Sequence, residues 1–194
     1  MLVATQIKEI INNFETGHLF SSRDFLELGN RATVDKALSR MVQNKEIERA
    51  ARGIFFKPKK NKFIGNVPVD VEKVINVISQ QNGETIQVHG AEAARRFKIS
   101  TQMPMKTIFY TNGATRVIKI GNTEVTLLHT SNQKKLQYTG TNIGLAISAL
   151  WYLGKELVTP DVINKIKSNL NNDEFNLLKN ANLTGWMYNA INQI

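Results

Sequence analysis

The chain reads as α+β, and three observations say so. Apolar residues recur at helical spacing over the first forty positions and again beyond residue 142. Between those stretches lie three runs rich in β-branched and aromatic residues, separated by turn formers, which predict a small antiparallel sheet. The run Lys57-Pro58-Lys59-Lys60-Asn61-Lys62 interrupts both patterns. It places a domain boundary between Lys59 and Val69, so residues 1–60 and 61–194 are read as two domains.

In the first domain, Ile7, Ile10, Ile11 and Phe14 fall at i, i+3, i+4 and i+7, giving a helix with one buried face that Gly17 ends. Leu19 and Phe20 suit a short strand. Ser21 with Asp24 three residues on is a capping box, and Phe20 and Phe25 bracket it as a hydrophobic staple, so a short helix should run from Ser21 to Gly29. Asn30 is a good N-cap for the next helix, whose stripe is Val34, Leu38, Met41 and Val42. Thr33, Lys36, Ser39, Arg40 and Gln43 lie on its other face, with Asn30 and Arg31 at the leading end. Ile47 to Ala50 and Ile54 to Lys57 then read as two strands around Arg52-Gly53. Two short helices joined by a minimal turn and followed by a basic hairpin make the pattern of a winged helix-turn-helix.

The second domain opens with a helix capped by Asp70, its apolar face Val71, Val74, Ile75 and Ile78, closed by Gly83. Ile86 to Val88 suggests a strand, and Ala91 to Phe97 a small helix bearing Arg95 and Arg96. Lys106 to Tyr110, Arg116 to Ile120 and Thr123 to His129, separated by Thr111-Asn112-Gly113-Ala114 and Gly121-Asn122, predict an antiparallel meander. The remainder is helical: Ile143, Ile147, Leu150 and Trp151 form one stripe, and Thr159-Pro160 opens a second helix. Asn172 would cap a third, and Thr184 a last one holding Trp186, Met187 and Ile191.

The net charge is +9, and residues 1–62 hold 12 Lys and Arg against 7 Asp and Glu, so the excess concentrates in the domain with the helix pair. Such an excess favours a polyanionic partner. With no cysteine, disulfides and thiolate metal sites are excluded, and a reducing cytoplasm is the expected compartment. The first residues lack the pattern of a secretory signal, and Ile143 to Leu153 is too short to cross a bilayer, so no membrane partner is expected. His18, His89 and His129 stand alone. Nucleophile elbows, metalloprotease spacing and phosphate loops are missing, so the expectation is a non-enzyme without catalytic residues, metal or cofactor.

On duplex DNA, Arg31 and Arg40 would offer bidentate donors to guanine, and Asn30 would read adenine or a phosphate. Thr33 and Lys36 would reach bases or backbone. The Ser22 hydroxyl would suit a phosphate, and Arg49 and Arg52 of the hairpin would meet the backbone or the adjacent minor groove.

Three stretches carry a likeness to a known family: DFLELGNRATVDKALSRMVQNKEIERAARGIFFKP, VHGAEAARRFKISTQMPMKTIFYTNGATRVIKIGN and ISALWYLGK. Together they resemble the AbiEi-like antitoxins of bacterial type IV toxin–antitoxin (abortive infection) systems. The resemblance implies a winged helix that binds repeats in its own promoter, as a dimer or as cooperatively bound monomers, and represses the operon. It also implies a second domain that counteracts a nucleotidyltransferase-type toxin, with or without touching it. Asn30, Arg31, Lys36 and Arg40 carry over as the DNA-facing positions, and Arg95, Arg96 and Lys119 are the second domain's candidates. Two other readings stay open: a protein-interaction module using the C-terminal domain, and a DNA-processing enzyme.

Overall fold

A computed structural model of the chain describes residues 2–61 and 65–193. Lys62, the last residue of the lysine run, lies outside them. The chain is α+β, with eight α-helices among the described residues. It forms two compact units, Met1–Asn82 with Ile118–Glu124, and Gly83–Val117 with Val125–Ile194.

In the first unit, helix α1 (Val3–Asn13) buries Ile7 and Ile11, while Ile10 is exposed. Gly17, at φ +85°, turns the chain into strand β1 (Leu19–Ser21). The capping box forms as expected: the Ser21 N–H donates to Asp24 Oδ2 at 2.8 Å, and Ser21 Oγ accepts from the Arg23 N–H at 3.0 Å. The box opens a single 3-10 turn, Ser22–Phe25, and not a helix reaching Gly29. Gly29 lies close to the start of α1: a Cβ there would sit 3.1 Å from Val3 Cγ2, so that side chain would have to give by a few tenths of an ångström. Helix α2 (Arg31–Gln43) comes next, followed by strands β2 (Glu48–Ala51) and β3 (Ile54–Phe56), with Gly53 at φ +75° in the turn. Strand β3 pairs antiparallel with both β1 and β2, in the order β1-β3-β2. Ile7, Ile11, Phe20, Phe25, Val34, Leu38, Met41, Ile47 and Phe55 fill the space between helices and sheet. The staple pair Phe20 and Phe25 meet edge to face at 5.8 Å.

The lysine run forms part of a two-residue ladder, β4 (Lys60–Asn61) antiparallel to β5 (Gly65–Asn66). Helix α3 (Val71–Asn82) buries Val74, Ile75 and Ile78. It belongs to the first unit: it lies against β1, and the Arg23 guanidinium donates to Gln81 O at 2.7 Å. The division therefore falls at Asn82–Gly83, later than the boundary the composition marks, because the contacts of α3 with β1 group it with the first unit.

The second unit begins with β6 (Ile86–Val88) and α4 (Gly90–Arg96), followed by β7 (Thr107–Thr111). Next in the chain come β8 (Arg116–Ile120) and β9 (Thr123–His129), whose adjoining residues Ile118–Glu124 group with the first unit, and then helices of the second: α5 (Asn142–Leu153), α6 (Pro160–Ser168), α7 (Asn172–Lys179) and α8 (Gly185–Asn192). The expected antiparallel meander does not form. The sheet order is β6-β7-β9-β8, and β7 runs parallel to β9, with Thr107 opposite Val125 and Thr111 opposite His129. The link after β7 is drawn to both sides. Asn112 Oδ1 accepts from the Thr85 N–H at 2.8 Å, whereas Thr115 Oγ1 accepts from the His129 N–H at 2.9 Å. Burial explains the order, since Val125 and Leu127 of β9 are fully buried, as an inner strand requires, while Val117 and Lys119 of β8 are exposed, as suits an edge.

Helix α5 buries Ile143, Ala146, Ile147, Ala149 and Leu150 at the centre of a core completed by Ala93, Ala94, Phe97, Ile163, Ile166, Phe175, Leu178, Met187 and Ile191. Asn171, one residue before the position expected, caps α7 through Glu174, and Thr184 stands before α8 without a capping hydrogen bond. Among the described residues no helix is long and apolar enough to cross a membrane. A Cβ at Gly90 would collide with the Ser148 carbonyl and with Tyr152 Cβ, so α4 and α5 touch at a point where no side chain fits. Gly90→Ala is expected to lower unfolding free energy by about 2–3 kcal/mol in urea titration. Gly17→Ala, with open space but φ +85°, should cost only about 1 kcal/mol.

Candidate nucleic-acid interface

Helix α2 is held by its cap and its apolar edge. Asn30 Oδ1 accepts from the Thr33 N–H at 2.9 Å, and Val34, Ala37, Leu38 and Met41 are buried. At about 100° per residue, Thr33, Lys36, Arg40 and Gln43 then fall within an arc of about 80° on the outer side. All four are exposed or partly so, as are Asn30 and Ala32. Lys36 and Arg40 have no carboxylate partner among the described residues.

Arg31 departs from the expectation. It lies nine residues before Arg40, about half a turn round the axis, and its Nε faces Asp35 Oδ2 at 3.5 Å on the opposite edge. An exposed ion pair of that kind contributes little to stability, but it puts Arg31 outside the face that carries Arg40. A place at the leading end of α2 does not by itself give the angle, and the angle turns Arg31 away from Arg40.

In the hairpin, Arg49 is exposed with its guanidinium carbon 5.4 Å from the Phe55 ring centroid, directly across the strand pair. Arg52 is exposed in the turn. Ser22 is not available to a phosphate. It is 3% exposed, and its N–H donates to Gly53 O at 3.2 Å, so it anchors the hairpin turn. Lys57, counted from sequence with the basic hairpin, donates from Nζ to Asn12 O and Phe14 O, both at 2.8 Å, and so satisfies carbonyls at the C-terminal end of α1. No local pattern announces this role, since the partners are more than forty residues away.

The second domain's candidates lie on different elements. Arg95 holds both carboxylate oxygens of Glu92 at 2.7 Å, and Arg96 Nε adds a third bond at 3.0 Å. Hydrogen bonding from Arg95 above all keeps the Glu92 carboxyl below its ordinary pKa. Lys119 is exposed on β8, in the segment that groups with the first unit. Among the described residues, no three His, Asp or Glu side chains gather as metal ligands. His89 serves the helix beside it, where its Nδ1 accepts from the Ala91 N–H at 3.3 Å and caps α4. Burial, and secondly the charge of Lys135, push its pKa below the ordinary histidine value.

A family model described as "Family of unknown function (DUF6088)" matches residues 6–178, which run from α1 into the end of α7. The chain belongs to DUF6088. The match takes in both compact units, so the DUF6088 pattern joins the α2 face and the C-terminal core in one chain architecture. No curated protein and no solved structure matches the chain.

Asn30→Ala removes the α2 cap and should cost about 1 kcal/mol in chemical denaturation, whereas Arg31→Ala should change stability by less than about 0.5 kcal/mol. For His89 the sign follows from its lowered pKa. The unfolded chain takes a proton near pH ~6.5 that the folded one refuses, so stability is intact above that pH and falls as pH drops below it. Thermal melts should show a falling Tm from about pH 7.5 to about 5.5, and His89→Asn, which retains a capping oxygen, should flatten that dependence.

Proposed function

We propose that this chain is a sequence-specific, double-stranded-DNA-binding repressor, with a winged helix-turn-helix in its first unit, that serves as the antitoxin of a type IV toxin–antitoxin operon in the cytoplasm. The observation that carries the DNA-binding part is the outer face of α2: Thr33, Lys36, Arg40 and Gln43 share one outward arc, and its two cations lack carboxylate partners among the described residues. The hairpin behind it adds exposed Arg49 and Arg52. The antitoxin part rests on the resemblance carried by the stretches around α2, α4 to β8 and α5, and it names promoter repeats and a nucleotidyltransferase-type toxin as the functional partners.

In this reading α2 lies in the major groove. Arg40 offers a bidentate guanidinium to guanine, Lys36 and Thr33 reach bases or phosphates, and the exposed methyl of Ala32 can meet a thymine methyl. Asn30 has spent its side-chain oxygen on the cap, so its amide nitrogen is left to donate to a phosphate. Arg49 and Arg52 contact the backbone or enter the neighbouring minor groove.

Fluorescence anisotropy with DNA from upstream of the chain's own coding sequence tests this. Affinity should fall steeply with salt, with a log–log slope of about −0.9 for each phosphate neutralised. Arg40→Ala should cost about 1–3 kcal/mol and relax sequence preference, while Arg52→Ala should weaken all sequences alike and reduce the salt slope by about 1. Arg31→Ala should have the smallest effect of the three. Binding that is insensitive to salt, or unchanged by Arg40→Ala, overturns the assignment.

A further inference from the structure

Five side chains from separate parts of the second unit meet in a cluster that the DNA reading does not use. Lys135, in a 3-10 turn (Gln133–Leu136), places Nζ 5.0 Å from the Tyr110 ring centroid and 5.3 Å from that of Trp151. The His89 ring is 4.8 Å from Tyr110 and 5.8 Å from Tyr152. These contacts join the cap of α4, strand β7, the 3-10 turn and the end of α5.

The cluster is rich in donors and poor in acceptors. Lys135 has no carboxylate within ion-pair distance among the described residues. The buried Trp151 Nε1–H has no hydrogen-bond partner among them either, an uncommon state for a buried N–H that calls for an explanation. Since His89 Nδ1 accepts from Ala91, the neutral ring carries its proton on Nε2, a further donor. Tyr110 is half-buried, and its hydroxyl has no protein partner among the described residues. Lys135 Nζ, the His89 Nε2–H and the Tyr110 hydroxyl supply a cation and two neutral donors around the Tyr110 ring, a set that suits a phosphate. Tyr152 is 49% exposed beside His89 and offers a ring face on which a planar group can stack.

We propose that His89, Tyr110, Lys135, Trp151 and Tyr152 form a binding site for a free nucleoside monophosphate, with Lys135 on the phosphate and Tyr152 against the base. The site lies within the second unit and does not depend on the DNA-binding reading, so either can fail alone.

The test is a fluorescence titration of the full-length chain carrying Trp186→Phe, so that Trp151 alone reports. Adenosine monophosphate, adenosine and inorganic phosphate are added separately. The monophosphate should bind saturably and at least tenfold more tightly than adenosine or phosphate. Lys135→Met should weaken it tenfold or more, and Tyr152→Ala should weaken monophosphate and adenosine alike while leaving phosphate unchanged. His89→Asn keeps a cap on α4, so its loss of affinity would not reflect unfolding, and circular dichroism checks each variant's fold. No saturable binding of the monophosphate up to millimolar concentration overturns the site. So does unchanged affinity in a folded Lys135→Met variant.

Discussion

The orientation of α2 depends on one burial. Val34 and Leu38 are wholly removed from solvent and Met41 nearly so, against Ile7, Ile11, Phe20, Phe25 and Phe55. Each such side chain contributes about 1.5–3 kcal/mol relative to exposure, far more than any surface ion pair on the helix. The stripe therefore decides which way the helix faces, and the polar residues take what is left. Thr33, Lys36 and Arg40 look outward because of where Val34 and Leu38 go. The same rotation carries Arg31 to the far edge.

The positive charge divides into two uses. Arg23 and Lys57 spend their donors on carbonyls at the ends of α3 and α1, and Arg95 and Arg96 converge on Glu92. These are structural bonds, and they lower the number of cations available to an anionic partner. Lys36, Arg40 and Arg52 are not spent this way, which makes them the informative part of the net charge of +9. Net charge alone gives no such partition, because an arginine's partner can lie anywhere in the chain.

In the second unit, the mixed sheet and the tight α4–α5 contact act together. Ser148 Oγ donates to Val88 O at 2.7 Å, and Gly90 lets α4 approach α5, so the end of β6 and the start of α4 are pinned to one helix. That pinning sets His89 beside Tyr152 and Tyr110. A donor-rich cluster then results from packing that serves the core.

Local signals in the sequence sufficed for the α-helices, for the Ser21–Asp24 box, for Asn30 as a cap, for the Arg52-Gly53 turn and for the buried stripe of α2, but they extended the single 3-10 turn Ser22–Phe25 into a helix reaching Gly29. Each of these depends on residues within about eight positions of one another, where periodicity and capping chemistry act directly. The tertiary structure alone decided the rest. β9 entered between β7 and β8 because its buried Val125 and Leu127 need two neighbours, α3 joined the first unit through its contacts with β1, Ser22 turned inward, and Lys57 found carbonyls 43 and 45 residues away. Strand order, domain boundary and the partner of a long cationic side chain are settled by contacts distant in sequence, and nothing in local spacing encodes them.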